Sequence, residues 1–159
     1  MIDPDAVPVL REVVCGGRWA CLATLRDGAP LASWVAYALD SAGGSLLMHL
    51  SRLAVHTRNL LADGRASLTV SFADDGREDP QELARVTLNG TVVRVAPEDP
   101  DYAAAKACYL ARFPAAEQRF EFADFSLFRL PPAEARFVGG FARAYSVGGE
   151  ALSKILSGP

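Results

Sequence analysis

HLSRLAVHTRNLLADGRASLTV, residues 49–70, holds the pattern from which the rest of the chain can be ordered. Ser51 is placed to cap a helix over residues 53–62, and Asp63-Gly64 ends it. Beyond the turn, Ala66, Leu68, Val70 and Phe72 alternate with Ser67, Thr69 and Ser71, the period of a strand with one buried face. With Ser51 as cap, Arg52, His56 and Asn59 share one helix face, and Arg58 lies one position further round. Leu53, Leu60 and Leu61 fall on the neighbouring arc and are expected to pack inward. A helix start prefers acids, yet this one carries Arg52, His56 and Arg58 and no acid before Asp63. A cation there costs roughly a few tenths of a kcal/mol, and an anion held by the free N–H groups reverses that sign. The same residues also describe a solvated basic face with a satisfied histidine.

Outward from this stretch, strands dominate. Towards the N-terminus, Asp3 or Asp5 caps a first helix that Gly16-Gly17 stops. Residues 18–25 read as a strand, Asp27-Gly28 as a hairpin turn and residues 30–39 as a second strand. Trp19, Cys21, Ala23 and Leu25 line one face of the first strand, Ala20 and Leu22 the other, so both faces ask for cover. Residues 45–50 make a short third strand. On the other side, 74–80 is a charged loop, and 83–95 is a long strand bent at Asn89-Gly90. An Ala-rich helix follows residues 97–100 until Pro114 breaks it. Residues 125–130 and 136–138 are strands around Pro131-Pro132, and a last helix covers 150–156. The expected fold is mainly β with peripheral helices: a six-stranded antiparallel barrel. The length fits one domain over residues 1–159, with 1–16 as an N-terminal helix and 140–159 as a tail.

Composition removes several functions. The net charge of −3 argues against general nucleic-acid binding. No uncharged stretch reaches the length of a membrane-spanning helix, and the first residues lack the basic and apolar run of a signal peptide. Three cysteines (Cys15, Cys21, Cys108) and two histidines in one segment (His49, His56) suit neither a disulfide framework nor a metal site. A reduced, cytoplasmic protein is expected. Phosphate-loop, dinucleotide and nucleophile-elbow motifs are absent. Two weaker features remain. Arg85 and Thr87 share a strand face that merges with Ser67, Thr69 and Ser71 if the two strands pair. Ser33-Trp34-Val35 lies mid-strand, where backbone groups can meet the edge of a planar ring, although Trp34 also reads as a core residue.

HLSRLAVHTRNLLADGRASLTV, ARVTLNGTVVRV and FRLPPAEARFVGGFARA together resemble the pyridoxamine 5'-phosphate oxidase-like FMN-binding split-barrel proteins, from about Trp19 to Ala144. The resemblance implies a Greek-key split barrel that dimerises, with FMN in clefts at the subunit interface. By position it places Ser33, Trp34 and Val35 beside the flavin ring, and His49, Leu50 and Ser51 near the ribityl chain and phosphate. It places Arg52, His56, Thr57 and Arg58 at the phosphate, Arg85 near ring or phosphate, and Phe141 in the segment that closes the cleft. The implied activity is that of an FMN-dependent oxidoreductase on a small molecule, with no general acid or base assigned. The C-terminal Trp- and Arg-containing segment of true pyridoxamine phosphate oxidases is absent, which argues against vitamin B6 oxidation. A related subgroup binds or degrades haem, and the chain resembles it in HTRNL and GGFARA. That subgroup's C-terminal histidine ligand is missing, since no histidine follows His56. A non-catalytic flavin-binding module is the third reading.

Overall fold

The computed structural model describes residues 2–40, 42–140 and 143–158. Helix α1 (Val7–Gly16) leads into a hairpin of β1 (Trp19–Arg26) and β2 (Ala29–Ala36). Its turn residues Asp27 and Gly28 both have positive φ, 52° and 79°, the conformation that matches the twist of two-residue hairpins. The chain continues through β3 (Ala38–Asp40), β4 (Ser45–Ser51), α2 (Val55–Ala62), β5 (Arg65–Ser71), β6 (Arg85–Thr91) and β7 (Val93–Val95). Then come α3 (Tyr102–Arg112), a 3-10 segment (Pro114–Glu121), β8 (Phe125–Leu130), β9 (Pro132–Val138), β10 (Ala144–Gly148) and α4 (Gly149–Ser157).

The strands form two antiparallel sheets, a six-stranded one in the order β10-β9-β6-β5-β1-β2 and a four-stranded one in the order β3-β4-β8-β7. Three places where one strand was expected to run on, or where the chain had to change sheet, join them. Residues 30–39 break at Tyr37 into β2 and β3, and Tyr37 is fully buried with its hydroxyl donating to the Val14 carbonyl at 2.6 Å. Residues 83–95 break into β6 and β7, after a register shift at Asn89/Gly90 where a Cβ on Gly90 would stand 2.5 Å from the Pro131 carbonyl oxygen. Pro131 itself separates β8 from β9. This is the mainly β, split-barrel architecture with peripheral helices that the sequence implies, built from ten strands where about six were expected.

One core fills the space between the sheets. Ala20, Leu22, Leu68, Val70, Val86, Leu88 and Phe137 face Leu46, Met48, Leu50, Phe128 and Leu130, and α1 and α4 close it with Leu10, Val13, Val14, Leu152 and Leu156. A second cluster lies behind the small sheet, where Leu47, Leu127 and Val95 meet Ala105, Tyr109 and Ala116. The small sheet is therefore covered on both faces, which explains the unbroken burial of β4. The six-stranded sheet is covered on one face only. Its outer face carries Trp19, Cys21 and Ala23 of β1, Trp34 of β2, Ser67, Thr69 and Ser71 of β5, and Arg85, Thr87 and Asn89 of β6.

Candidate functional site

The helix expected over residues 53–62 starts two residues later, at Val55, with Ala54 as its N-cap. Ser51 is not the cap, because it still pairs with Phe125 at the end of β4. Its hydroxyl instead accepts from the Leu53 N–H at 3.1 Å and donates to Asp124 Oδ2 at 2.5 Å. Arg52 consequently stands before the helix, and its guanidinium donates to the Ala123 carbonyl at 2.9 Å. Arg58 folds back to the Leu53 carbonyl at 3.1 Å. The acid missing from the local sequence is thus supplied from 73 residues away, by Asp124.

His56 meets Ser33: Nδ1 and Oγ share a hydrogen bond of 3.1 Å. Burial lowers the pKa of His56 from its ordinary value, which keeps the ring neutral near pH 7. Asn59, on the same helix, is buried and donates to the Thr24 hydroxyl at 3.0 Å, so it anchors α2 to β1. The fold therefore brings Ser33, Ser51, Arg52, His56 and Arg58 to the start of α2.

Other sequence-derived residues lie elsewhere. Val35 and Leu50 are core residues. Thr57 is fully buried, and its hydroxyl has no hydrogen-bond partner. His49 projects behind the small sheet, where its ring stacks on Phe120 at 3.8 Å and 6°. Arg85 donates to the carbonyls of Gln81 and Leu83 at 2.7 and 3.2 Å. Phe141 lies outside the described residues.

Trp34 is on the outer sheet face and is 59% exposed, which overturns its reading as a core residue. It stacks on Trp19, itself 56% exposed, with ring centroids 5.9 Å apart and planes within 3°. Trp19 was not singled out as a site residue, yet the hairpin turn alone brings the two together. A two-residue turn at Asp27-Gly28 pairs Arg26 with Ala29, hence Cys21 with Trp34, and leaves Trp19 as the diagonal neighbour on that face. The pair lines a groove of about 500 Å³ with Arg18, Cys21, Thr69, Ser71 and Asp74. Beside it runs a second groove of about 340 Å³ over Ala23, Leu25, Pro30, Arg65, Ser67 and Asn89. Between them the strands are laced by Thr69–Thr87 (3.0 Å) and Ser67–Asn89 (2.6 Å) hydroxyl and amide bonds. The face joins a large apolar plate to a polar floor, a combination suited to a planar ring system with polar edges. Among the described residues no group of three or more His, Cys, Asp or Glu is placed to hold a metal ion, and no helix is long and apolar enough to cross a membrane.

Comparison with known proteins agrees with this architecture. The family model described as the CREG β-barrel matches residues 4–153. The chloroplastic non-canonical heme oxygenase HOZ of Arabidopsis thaliana is 37% identical over 149 residues, covering 91% of this chain and 43% of that protein. The chain thus spans less than half the length of that relative. The structure of a heme-binding protein from Mycobacterium smegmatis superposes with a TM-score of 0.83 at 38% identity, over 96% of this chain and 62% of the other. A Clostridium acetobutylicum protein of the pyridoxine phosphate oxidase family, 13% identical with a TM-score of 0.67, shares the fold over 95% of this chain and 99% of its own.

Proposed function

Since the chain belongs to the CREG β-barrel family, we propose that it binds haem at the outer face of its six-stranded sheet and takes part in oxidative haem breakdown. The observation that carries this reading is the parallel, half-exposed Trp19–Trp34 pair lining the larger groove. Two exposed indoles on one sheet face offer a macrocycle a stacking surface that a purely solvent-facing antiparallel sheet has no reason to provide. The relatives named as heme-binding and heme oxygenase proteins, at 38% and 37% identity over most of the chain, support the choice of ligand.

The groove fits the ring of such a group, while no histidine among the described residues lines it to hold the iron. Trp19 and Trp34 would hold the ring, and Arg18, whose guanidinium lies over the Phe113 ring at 5.2 Å, would have to turn from it to meet a propionate. Bound haem would supply the iron that activates oxygen, with electrons drawn from an external donor. The protein's part is to bind, orient and limit water at the ring. A second copy of the chain, set against the uncovered sheet face, would complete the cleft and cover the indoles.

FMN is the second reading, favoured by Arg52, His56 and Arg58 at the start of α2. Asp124 opposes it. Its carboxylate accepts from the Ser51 hydroxyl beside Arg52, and a negative charge there disfavours an anion at the start of α2. Titration of the purified protein with hemin and, separately, with FMN tests the choice. A saturable shift of the haem absorption band, with FMN leaving the protein colourless after gel filtration, is expected. Retained, spectrally shifted FMN with no haem shift overturns the reading. Light scattering of the same sample is expected to give a dimer.

A further inference from the structure

His49 is the one histidine not used above, and its surroundings are built. β4 carries it on the side that faces α3 and the 3-10 segment, where it is 8% exposed. The ring lies flat on Phe120, with Phe125 at 5.1 Å and Tyr109 at 5.9 Å, and its Nδ1 is enclosed without a partner. On the far side of Phe120 the Lys106 ammonium stands 4.9 Å from the ring centroid. Ala116 and Phe120 pin this stretch of chain to the second cluster. Between Pro114 and Ala123 only Ala116 is buried, and Phe120 is half-buried. The stretch is tied at its end to the start of α2, through the Asp124–Ser51 bond, the Arg52 side chain on the Ala123 carbonyl and the Arg52 N–H on the Asp124 carbonyl at 2.7 Å.

We propose that residues 114–124 form a flap that acid releases from the small sheet, with the neutral ring of His49 as its latch. A neutral imidazole stacks on Phe120 without charge to solvate. A protonated one would carry an Nδ1–H with no acceptor, and it faces cations. The titratable and charged groups around it are Lys106, Tyr102 and Tyr109 from α3, Arg119 from the 3-10 segment and Arg94 from β7, while β8 contributes only Phe125, Ser126 and Leu127. Burial first, then Arg119 and Lys106, push the His49 pKa down from 6.5 to about 4. Opening returns it to the ordinary value. The closed form is therefore fully favoured above pH 6.5 and loses ground as pH falls from there towards 4. Between pH 7 and pH 4 the ratio of open to closed flap rises on the order of a hundredfold. Release frees Ser51 and Arg52, so the start of α2 changes with it.

Hydrogen–deuterium exchange of the full chain across pH 7 to 4, corrected for intrinsic rates, reads the flap directly. Protection of peptides within residues 114–124 is expected to fall on the order of a hundredfold, with β1, β5 and β6 changing far less. His49→Phe is expected to hold the flap closed throughout, while Asp124→Asn keeps the acid transition. Flap protection that does not change with pH overturns the proposal. So does an acid transition that survives in His49→Phe, or one that Asp124→Asn abolishes. Should His49→Phe not fold, NMR of the wild-type chain decides: amides of residues 114–124 that change together with a His49 midpoint near 4 support the latch, and a midpoint near 6.5, or one those amides do not follow, overturns it.

Discussion

Thr57 occupies the first turn of α2 with no exposed surface and a hydroxyl that has no partner. Resemblance alone made it a phosphate contact, and the structure makes it a buried orphan, so replacing it with valine separates the two. Valine keeps the shape and the β-branch, with nearly the same helix propensity, and removes only the hydrogen-bonding group. A buried hydroxyl left unpaired costs about 1–3 kcal/mol, and its exchange for a methyl group removes that cost. Thr57→Val is expected to stabilise the fold by about 1 kcal/mol, a rise in Tm of roughly 2–4 °C for a chain of this size. Urea unfolding with an unchanged m-value gives the free energy. Thr57→Ser, which keeps the hydroxyl and loses the methyl, is expected to cost about 1 kcal/mol. Hemin and FMN titrations of Thr57→Val should match the wild type. A loss of more than about 1 kcal/mol in Thr57→Val, or a weakened ligand titration, would refute the reasoning, because either requires a partner for that hydroxyl.

Two further substitutions test how the site is held. Arg112 of α3 donates through one guanidinium nitrogen to the carbonyls of Cys15, Gly16 and Gly17 at 3.2, 2.9 and 3.0 Å, closing the C-terminus of α1. Arg112→Ala is expected to cost about 1–3 kcal/mol in urea unfolding, with Arg112→Lys recovering part of it. Trp34→Ala, at a residue more than half exposed, is expected to change stability by less than about 1 kcal/mol. It is expected to weaken hemin binding roughly three- to tenfold by removing one stacking surface, and an unchanged hemin affinity would exclude the outer face as the site.

Much of the fold was legible because local signals and tertiary packing agree. The type of the Asp27-Gly28 turn fixed the β1–β2 register, and the alternation after Gly64 fixed which face of β5 is buried. The bend at Asn89-Gly90 was readable from its residue types, and the structure sets Gly90 against the Pro131 carbonyl between β8 and β9. What failed were features set by distant residues. The start of α2 looked capped by Ser51 and free of acids, because nothing local shows that Ser51 stays in β4 and gives its hydroxyl to Asp124, on the far side of the 3-10 segment. His49 looked like a neighbour of Ser51, two positions along the same strand. A strand period of two does put both on one face, but Ser51 ends β4 and turns towards Asp124, while His49 is closed over by Phe120, and no short-range pattern encodes that cover. The 3-10 segment itself was invisible beyond the break at Pro114, since such turns carry little periodicity.

The alternation along β2 bears most on which ligand the chain can hold. Val35 and Ser33 point towards the inner side, where Ser33 meets His56, and Trp34 points to the outer face. His56 of α2 and the stacked indoles therefore lie on opposite faces of the same edge strand. A flavin that used both within one chain would have to wrap the edge of β2, ring on one side and phosphate on the other. A macrocycle lying on the outer face would rest on the indoles and the hydroxyl ladder, both of which that face already presents. The second copy that would cover this face would also bring a second β2 edge, and with it a second set of α2 cations, to the same cleft. On that geometry a flavin site would require a dimer, whereas weak haem stacking would survive in a monomer. Dilution below the dimer dissociation range should then abolish any FMN binding outright and leave a residual haem signal that Trp34→Ala removes.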